Sequence, residues 1–305
     1  MQPRRIDCFR RDERMNKPLF SGACTALVTP FLNGEINYPM LERLLQRQMD
    51  SGIHAVVIGG TTGEASTLSD REKLELFRRA KEFTGSDCCI IAGTGSNDTA
   101  HAIELSKRAE EIGVDALLLV TPYYNKASKQ GLISHYSAIA GAVHIPCIVY
   151  NVPSRTGLDS PVEVYQTLSR IPNITGVKEA STSISKFAKI RLYCPQPFTL
   201  WSGNDDMTAA AMALGAQGVI SVVSNIAPVQ TQAMCLAALN GDFDTAAALQ
   251  LKLLPLIDAL FSDVNPIPVK AAMKRIGFDC GNCRLPLTDI SSEIETKLMH
   301  ALHQL

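Results

Sequence analysis

Along residues 23–222, short apolar segments of strand length alternate with amphipathic segments of helical periodicity. This alternation is typical of a parallel sheet with helices packed around it. Eight predicted strands favour an α/β protein that closes into a (β/α)8 TIM barrel over one with an open doubly wound sheet. The predicted strands are 23–31, 55–60, 88–95, 116–122, 145–153, 174–180, 198–203 and 218–222, and the helices between them lie near 38–51, 70–84, 98–112, 129–143, 161–170, 183–192 and 205–214.

After the eighth strand the pattern is purely helical. Segments 228–240, 242–261 and 266–276 show helical periodicity, with Gly241 and Pro266 as breaks between them. Since no linker-like segment precedes these helices, we expect this C-terminal appendage to pack on the barrel. The predicted organisation is an exposed basic arm at 1–17, the barrel at 18–226 and a C-terminal helical region at 227–305.

Composition excludes several classes of protein. Of the 305 residues, 46% are hydrophobic and 19% are charged, and the net charge of −1 gives no reason to expect nucleic acid as a partner. No apolar run approaches the roughly 20 residues that a membrane span needs, and a secretory signal is absent, so we expect no membrane partner and a cytoplasmic protein. Asp7, Asp12 and Glu13 argue against the arm being a transit peptide.

The nine cysteines lie mostly in predicted core segments, as reduced cysteines that act as small hydrophobes do. Cys280 and Cys283 have metal-like spacing, but no second pair or histidine cluster accompanies them. We therefore expect no metal site.

A lysine interrupts the apolar pattern of the sixth predicted strand. Successive side chains of a strand point to opposite faces, so Lys178 shares a face with Ile174, Gly176 and Ala180. Burial among small apolar residues disfavours the ammonium form of an amine, which makes it nucleophilic enough to form a Schiff base with a carbonyl substrate. The alternative is a structural lysine at a strand end whose amine reaches solvent.

The active site of such a barrel lies at the carboxyl ends of the strands, so the segments after the apolar runs are informative. The second strand is followed by Gly-Gly-Thr-Thr-Gly-Glu at 59–64. Its glycines allow close backbone approach to a ligand and its threonine hydroxyls can bind a carboxylate, although a tight turn explains the glycines equally well. Polar residues also follow the fourth strand and end the fifth: Tyr123, Tyr124, Tyr150 and Arg155.

Each of these residues also has a structural explanation, since tyrosines cap apolar cores and loop arginines are mostly solvated. Their joint placement at one end of a barrel favours imine chemistry on an α-keto acid. That chemistry needs an amine to attack the ketone, a group that binds the carboxylate, and a group that moves protons as carbinolamine becomes imine and then enamine.

At these segments the chain resembles the dihydrodipicolinate synthase (4-hydroxy-tetrahydrodipicolinate synthase) family of pyruvate-dependent lysine Schiff-base aldolases, which also includes N-acetylneuraminate lyase. The resemblance covers about residues 18–305 and rests on Gly-Thr-Thr-Gly-Glu at 60–64, Tyr-Asn-Val-Pro-Ser-Arg-Thr-Gly at 150–157 and Gly-Val-Lys-Glu-Ala at 176–180. It implies a lyase of lysine biosynthesis that condenses pyruvate with L-aspartate 4-semialdehyde and needs no cofactor beyond the covalent imine.

The resemblance also implies individual roles. Lys178 forms the imine with pyruvate, and Tyr150 donates and accepts protons. Thr61 links Tyr150 to Tyr124. Tyr124 reaches the site of a neighbouring subunit, so the active form is expected to be a dimer or a homotetramer built as a dimer of dimers. The other implied pocket residues are Thr61 and Thr62 at the pyruvate carboxylate, Gly203 and the backbone of Ile220.

Within this family, the residue at the position of Arg155 distinguishes the synthase from the sugar-acid lyases. A planar guanidinium holds the carboxylate of aspartate semialdehyde bidentately, whereas sugar-acid lyases of the family typically carry an apolar residue at this position. The alternatives are another pyruvate-dependent aldolase or lyase acting on a sugar-derived keto acid, and a silent barrel that binds a keto acid without catalysis.

A second implied site departs from the family pattern. In lysine-inhibited members, a glutamate on the helix after the third strand binds the ammonium of the effector at the dimer interface. Here that position is His101, and an imidazole does not replace a carboxylate as counter-charge to an ammonium. We expect a vestigial effector site and weak or absent inhibition by L-lysine. The alternative is that Asp70 serves as a substitute counter-ion and inhibition is retained. The positions of this effector site are Tyr123, Asn97, His101, Ser66, Asp70 and Lys73.

Overall fold

The computed structural model describes residues 17–305, so the arm predicted at 1–17 lies outside the described residues except for its last position. Eight parallel strands close into a barrel in chain order, and β1 (Gly22–Ala26) completes the closure by pairing with both β4 (Ala55–Ile58) and β10 (Gly218–Ser221). The predicted TIM barrel is confirmed. The other strands are β2 Phe31–Leu32, β3 Glu35–Ile36, β5 Cys89–Gly93, β6 Ala116–Val120, β7 Cys147–Asn151, β8 Ile174–Glu179 and β9 Thr199–Ser202.

Helices surround the barrel and continue beyond its last strand. Within residues 17–305, none of them is long and apolar enough to cross a membrane. The helices are α1 Tyr38–Asp50, α2 Asp70–Thr84, α3 Thr99–Ile112, α4 Lys129–Ala140, α5 Pro153–Thr156, α6 Val162–Leu168, α7 Ile184–Tyr193, α8 Thr208–Ala213, α9 Pro228–Leu239, α10 Phe243–Leu260, α11 Ile267–Arg275 and α12 Ser292–Leu302, with short 3-10 turns at Asp205–Met207 and Val223–Asn225.

Local capping explains where α2 and α3 begin. Oγ of Ser69 accepts a hydrogen bond from N of Glu72 at 3.3 Å, and Oε2 of Glu72 accepts one from N of Ser69 at 2.8 Å. This reciprocal capping box satisfies amides that the first turn of α2 leaves without partners. Oδ1 of Asp98 accepts from N of Ala100 at 2.9 Å in the first turn of α3. Both helix starts follow strands, so they lie at the end of the barrel where the active site is expected.

Two buried apolar clusters form the core. One lies between the strands and the surrounding helices and includes residues of the C-terminal helices such as Leu256, Met273 and Leu298. The other fills the barrel interior and includes Tyr150 and Trp201. The interior is thus a packed core, and polar groups are expected only near its mouth.

The pattern-based prediction was wrong in several details. The strand predicted at 23–31 ends at Ala26, and Phe31 begins a separate antiparallel hairpin of β2 and β3. The amide of Phe31 donates to O of Cys280 at 2.9 Å, so the C-terminal region directs this segment away from the barrel. The helix predicted at 205–214 begins with a 3-10 turn, and α5 and α12 were not predicted.

Candidate active site

Lys178 lies inside the barrel near the end of β8 and is 5% exposed. Tyr150 on β7 and Trp201 on β9 are its register partners on the two neighbouring strands. Nζ of Lys178 lies 4.3 Å from the centroid of the Tyr150 ring. The structure therefore brings together the predicted nucleophile and the predicted proton-transfer residue, and Lys178 is not the solvent-reaching lysine of the structural alternative.

Glycines leave the space that Lys178 and Trp201 occupy. A Cβ on Gly203 would lie 2.7 Å from Cβ of Ala180 and 3.1 Å from Cε of Lys178. A Cβ on Gly176 would lie 2.3 Å from O of Thr199 and 2.7 Å from the Trp201 ring. Carbon atoms at these positions would overlap their neighbours, so both sites require glycine. Gly203, a predicted pocket residue, thus borders the side chain of Lys178, and Ile220 lies in the same interior cluster as Tyr150.

The loop after β4 carries the two predicted carboxylate-binding threonines. Gly59 begins it with a φ of 64°, a left-handed conformation that glycine adopts without strain. Thr62 is 2% exposed, and its Oγ1 accepts a hydrogen bond from Nδ2 of Asn265 at 3.0 Å. Thr61 is half-buried. The side chain of Thr62 is therefore held by a residue of the C-terminal region.

A buried ion pair anchors the same loop. Nζ of Lys270 on α11 donates to Oε1 of Glu64 at 2.9 Å, and each residue is 3% exposed. Nζ of Lys270 also donates to O of Asn282 at 3.0 Å, while Oε2 of Glu64 accepts from N of Arg284 at 2.8 Å. A buried pair is tolerated when its remaining donors and acceptors are satisfied in this way. The C-terminal helices thus hold the threonine loop in place.

Sequence reasoning missed Asn265. Besides its bond to Thr62, its carbonyl oxygen accepts from Nη2 of Arg155 at 3.1 Å, so it joins two predicted substrate-binding residues. Asn265 is 5% exposed, and its Oδ1 is buried without a hydrogen-bond partner in residues 17–305. An Asn-Pro dipeptide before a helix is a weak local signal of a turn, and it says nothing about contacts across the fold.

Tyr124 is exposed on the loop after β6. Its side chain is 92% exposed and its φ is 71°, an uncommon conformation for a residue with a side chain. Among the hydrogen bonds of residues 17–305, none joins Tyr150, Thr61 and Tyr124 to each other. The predicted link through these three side chains therefore stays a prediction that needs a second chain.

Most positions of the predicted effector site lie close together. Nε2 of His101 on α3 is 2.8 Å from Oδ2 of Asp70 on α2, and Nδ1 of His101 is 3.1 Å from Oγ of Ser96. Nδ2 of Asn97 donates to O of Tyr123 at 3.2 Å. Burial lowers the pKa of Lys73, and the charge of Asp70 opposes this change. Asp70 thus already has a partner, and Ser66 is exposed.

Cys280 and Cys283 carry free thiols whose pKa is raised by burial to about 12. Thiolates rather than thiols bind metals and attack disulfides, and burial favours the thiol form of both cysteines. Across the described part of the chain, no group of three or more histidine, cysteine or acidic residues is placed to hold a metal ion.

Comparison with known proteins agrees with this geometry. A model of the dihydrodipicolinate synthetase family matches residues 19–305. A 4-hydroxy-tetrahydrodipicolinate synthase of Exiguobacterium sp. is 49% identical over 287 residues, which are 94% of this chain and 98% of the relative. The enzyme of that name from Acetivibrio thermocellus is 47% identical over 279 residues, with 92% and 95% covered. The crystal structure of the Cyanidioschyzon merolae enzyme with lysine bound has a TM-score of 0.92 at 40% identity, with 94% and 99% covered. This chain therefore belongs to the dihydrodipicolinate synthetase family.

Proposed function

We propose that this chain has 4-hydroxy-tetrahydrodipicolinate synthase activity and condenses pyruvate with L-aspartate 4-semialdehyde on the diaminopimelate route to lysine. The observation that carries the proposal is the buried Lys178 beside Tyr150 at the mouth of the barrel. Relatives that match over more than nine-tenths of the chain carry this activity in their names, which does not favour the sugar-acid lyase alternative.

The geometry supports a Schiff-base mechanism. Nζ of Lys178 would attack the ketone carbon of pyruvate, and loss of water from the carbinolamine would give the imine. The ring of Tyr150 lies beside Nζ of Lys178, so its hydroxyl is the group that we propose to move protons in these steps. Loss of a methyl proton would give the enamine, whose carbon attacks the aldehyde carbon of the second substrate. Cyclisation through the amino group of that substrate would then release Lys178, so the imine serves in place of a cofactor.

Two sets of donors would hold the two carboxylates. The hydroxyls of Thr61 and Thr62 lie on the loop after β4, which suits the carboxylate of pyruvate. Arg155 follows β7 on the single turn of α5 and is exposed. One of its nitrogens donates to Asn265, and the rest of its planar fork suits the carboxylate of aspartate semialdehyde.

A dimer would complete the site. Tyr124 is almost fully exposed, and it keeps a left-handed φ. Backbone strain of this kind persists where other contacts stabilise it. We infer that a second copy supplies those contacts and receives Tyr124 at its active site.

Substitution of the nucleophile tests the proposed function. We expect Lys178→Ala to lower kcat by on the order of 10⁴-fold or more, since it removes the amine on which the reaction proceeds. The measurement is a coupled assay that follows reduction of the product by dihydrodipicolinate reductase. Lys189→Ala on α7 is the matched control, because Lys189 is exposed and outside the barrel.

Borohydride trapping separates the possible failures. With pyruvate present, mass spectrometry should find a reduced adduct on Lys178. An adduct without turnover of aspartate semialdehyde would favour a sugar-acid lyase, and the absence of any adduct would favour a silent barrel.

A further inference from the structure

Each of the two central residues of the proposed mechanism is followed in the chain by a fully buried polar residue. Asn151 follows Tyr150 on β7, and Glu179 follows Lys178 on β8; both have 0% exposure. In the register of these strands, Asn151 lies opposite Glu179, as Tyr150 lies opposite Lys178. Since side chains alternate along a strand, the polar pair lies on the outer face of the barrel wall.

A side-chain hydrogen bond joins the outer pair directly. Nδ2 of Asn151 donates to Oε1 of Glu179 at 2.8 Å. The backbone continues the connection, because N of Ala180 donates to O of Asn151 at 2.9 Å and N of Gly203 donates to O of Glu179 at 2.7 Å. The ends of three adjacent strands are thus linked at the level of the active site.

The carboxylate of Glu179 is held in one orientation by further donors. Oε1 accepts from N of Ser181 at 2.8 Å, Oε2 accepts from the hydroxyl of Tyr165 at 3.1 Å, and Nζ of Lys186 lies 3.5 Å from Oε2. Burial and the charge of Glu179 raise the pKa of Tyr165, which keeps its hydroxyl a donor. A buried network with this many partners is rigid.

The partners of Asn151 fix its amide as well. Nδ2 also donates to Oδ1 of Asp159 at 2.8 Å, and Oδ1 accepts from N of Ser160 at 3.1 Å. Both amide atoms are therefore used, which leaves the Asn151 side chain one orientation. Its bond to Glu179 joins two strands whose inner residues must meet at reacting distance.

We propose that Asn151 and Glu179 are positioning residues that fix Tyr150 relative to Lys178 from the outer side of the barrel wall. The inference rests on the proposed function, in which these inner residues move the proton and form the imine. Neither outer residue touches the substrate. Misplacement of a reacting group by about 1 Å costs about 10²-fold in rate, so the pair acts through kcat.

Three variants test the pair: Glu179→Leu, which keeps a similar volume but has no acceptor for Nδ2 of Asn151, Asn151→Ala, and their combination. We expect each single variant to lower kcat about tenfold or more, at every pH tested, with the KM for pyruvate changed less than about threefold. The double variant should be no slower than the slower single variant, because both substitutions remove the same bond. Borohydride trapping of pyruvate on Lys178 should slow by a similar factor.

Tyr165→Phe is the matched control. It removes one hydrogen bond from the same carboxylate and leaves the bond between Asn151 and Glu179 intact. We expect a lower Tm but a kcat within about twofold of the wild type. A loss of kcat equal to that of Glu179→Leu would show that the activity depends on the stability of the network and not on the bond between the strands.

Several other outcomes would count against the positioning role of this pair. Wild-type kcat in Glu179→Leu, or additive losses in the double variant, would overturn the proposal, and a shifted pH profile would mean that Glu179 acts by its charge. If Glu179→Leu does not fold, Asn151→Ala alone decides by the same kcat and trapping criteria. Failure of the wild type to trap pyruvate would instead remove the proposed function on which this inference rests.

Discussion

In the proposed mechanism, the amine of Lys178 needs room for a keto acid beside it. Gly203 borders this side chain, since a Cβ there would lie 3.1 Å from Cε of Lys178 and 2.7 Å from Cβ of Ala180. Ala180 follows β8 and cannot move without shifting the end of the strand. The side chain of Lys178 would therefore have to adjust, and a change in its direction moves the nucleophile.

We expect Gly203→Ala to lower kcat/KM for pyruvate about tenfold or more, because overpacking displaces Nζ of Lys178. The coupled assay and the rate of borohydride trapping measure this loss. Gly131→Ala on α4 is the control: its Cβ would lie 3.4 Å from Cβ of Ala127, an ordinary contact, and alanine is favoured in helices by up to about 1 kcal/mol. Wild-type kinetics in Gly203→Ala would contradict the steric role of this glycine.

The same residues show what a sequence reveals about a site. Lys178 was identifiable because a charge within an apolar strand is a local irregularity. Asn265 was not, since its significance comes from Thr62, which lies 203 positions away in the chain. Lys270 likewise contacts Glu64 across 206 positions, and no local pattern shows this. Residues that support a site from a distant segment thus escape sequence reasoning.

At the scale of elements, the eight barrel strands were predictable because each is a continuous apolar run between helices. The ends of these strands were harder to predict. The apolar run at 23–31 continues past Ala26, but a hydrogen bond from Phe31 to Cys280 leads the chain into a hairpin. Hydrophobicity reports that a residue is buried, and it does not report which partner buries it.

The first turns of α2 and α3 meet at the predicted effector site. Asp70 begins α2 and His101 lies in the first turn of α3, so their side chains pair across the gap between the helices with 41% and 39% exposure. The carboxylate of Asp70 thereby already has a hydrogen-bond partner. Nearby Lys73 adds positive charge that opposes an incoming ammonium.

We expect the wild type to retain most of its activity at millimolar L-lysine, since the position of the family glutamate is His101 and Asp70 already pairs with that histidine. In the combined variant His101→Glu and Asp70→Asn, a carboxylate replaces the imidazole, and we expect inhibition to strengthen about tenfold or more. The coupled assay with increasing lysine measures both. Asp70→Asn alone is the control and should stay insensitive; a submillimolar inhibition constant for the wild type, abolished in this control, would identify Asp70 as the counter-ion.

At the scale of the whole molecule, a single chain holds most of the proposed site but leaves Tyr124 outside it. Lys178, Tyr150, Thr62 and Arg155 are positioned by one barrel and its C-terminal helices. Tyr124 is 92% exposed on the loop after β6. If Tyr124 serves the active site of a neighbouring subunit, two inactive variants with different substitutions should regain activity when they form a mixed dimer.

Co-expression of Lys178→Ala with Tyr124→Phe, each with its own affinity tag, tests this arrangement. Each variant alone should lose at least about 10²-fold in kcat, since one lacks the nucleophile and the other a proton-transfer group. In a mixed dimer, the chain with an intact Lys178 receives an intact Tyr124 from its partner, so random pairing should restore about a quarter of the wild-type activity. Recovery requires sharing across the interface, because a Tyr124 that acted within its own chain would leave both sites of the mixed dimer defective. Dimers purified through both tags should then be no more active than the single variants, which would contradict the shared site.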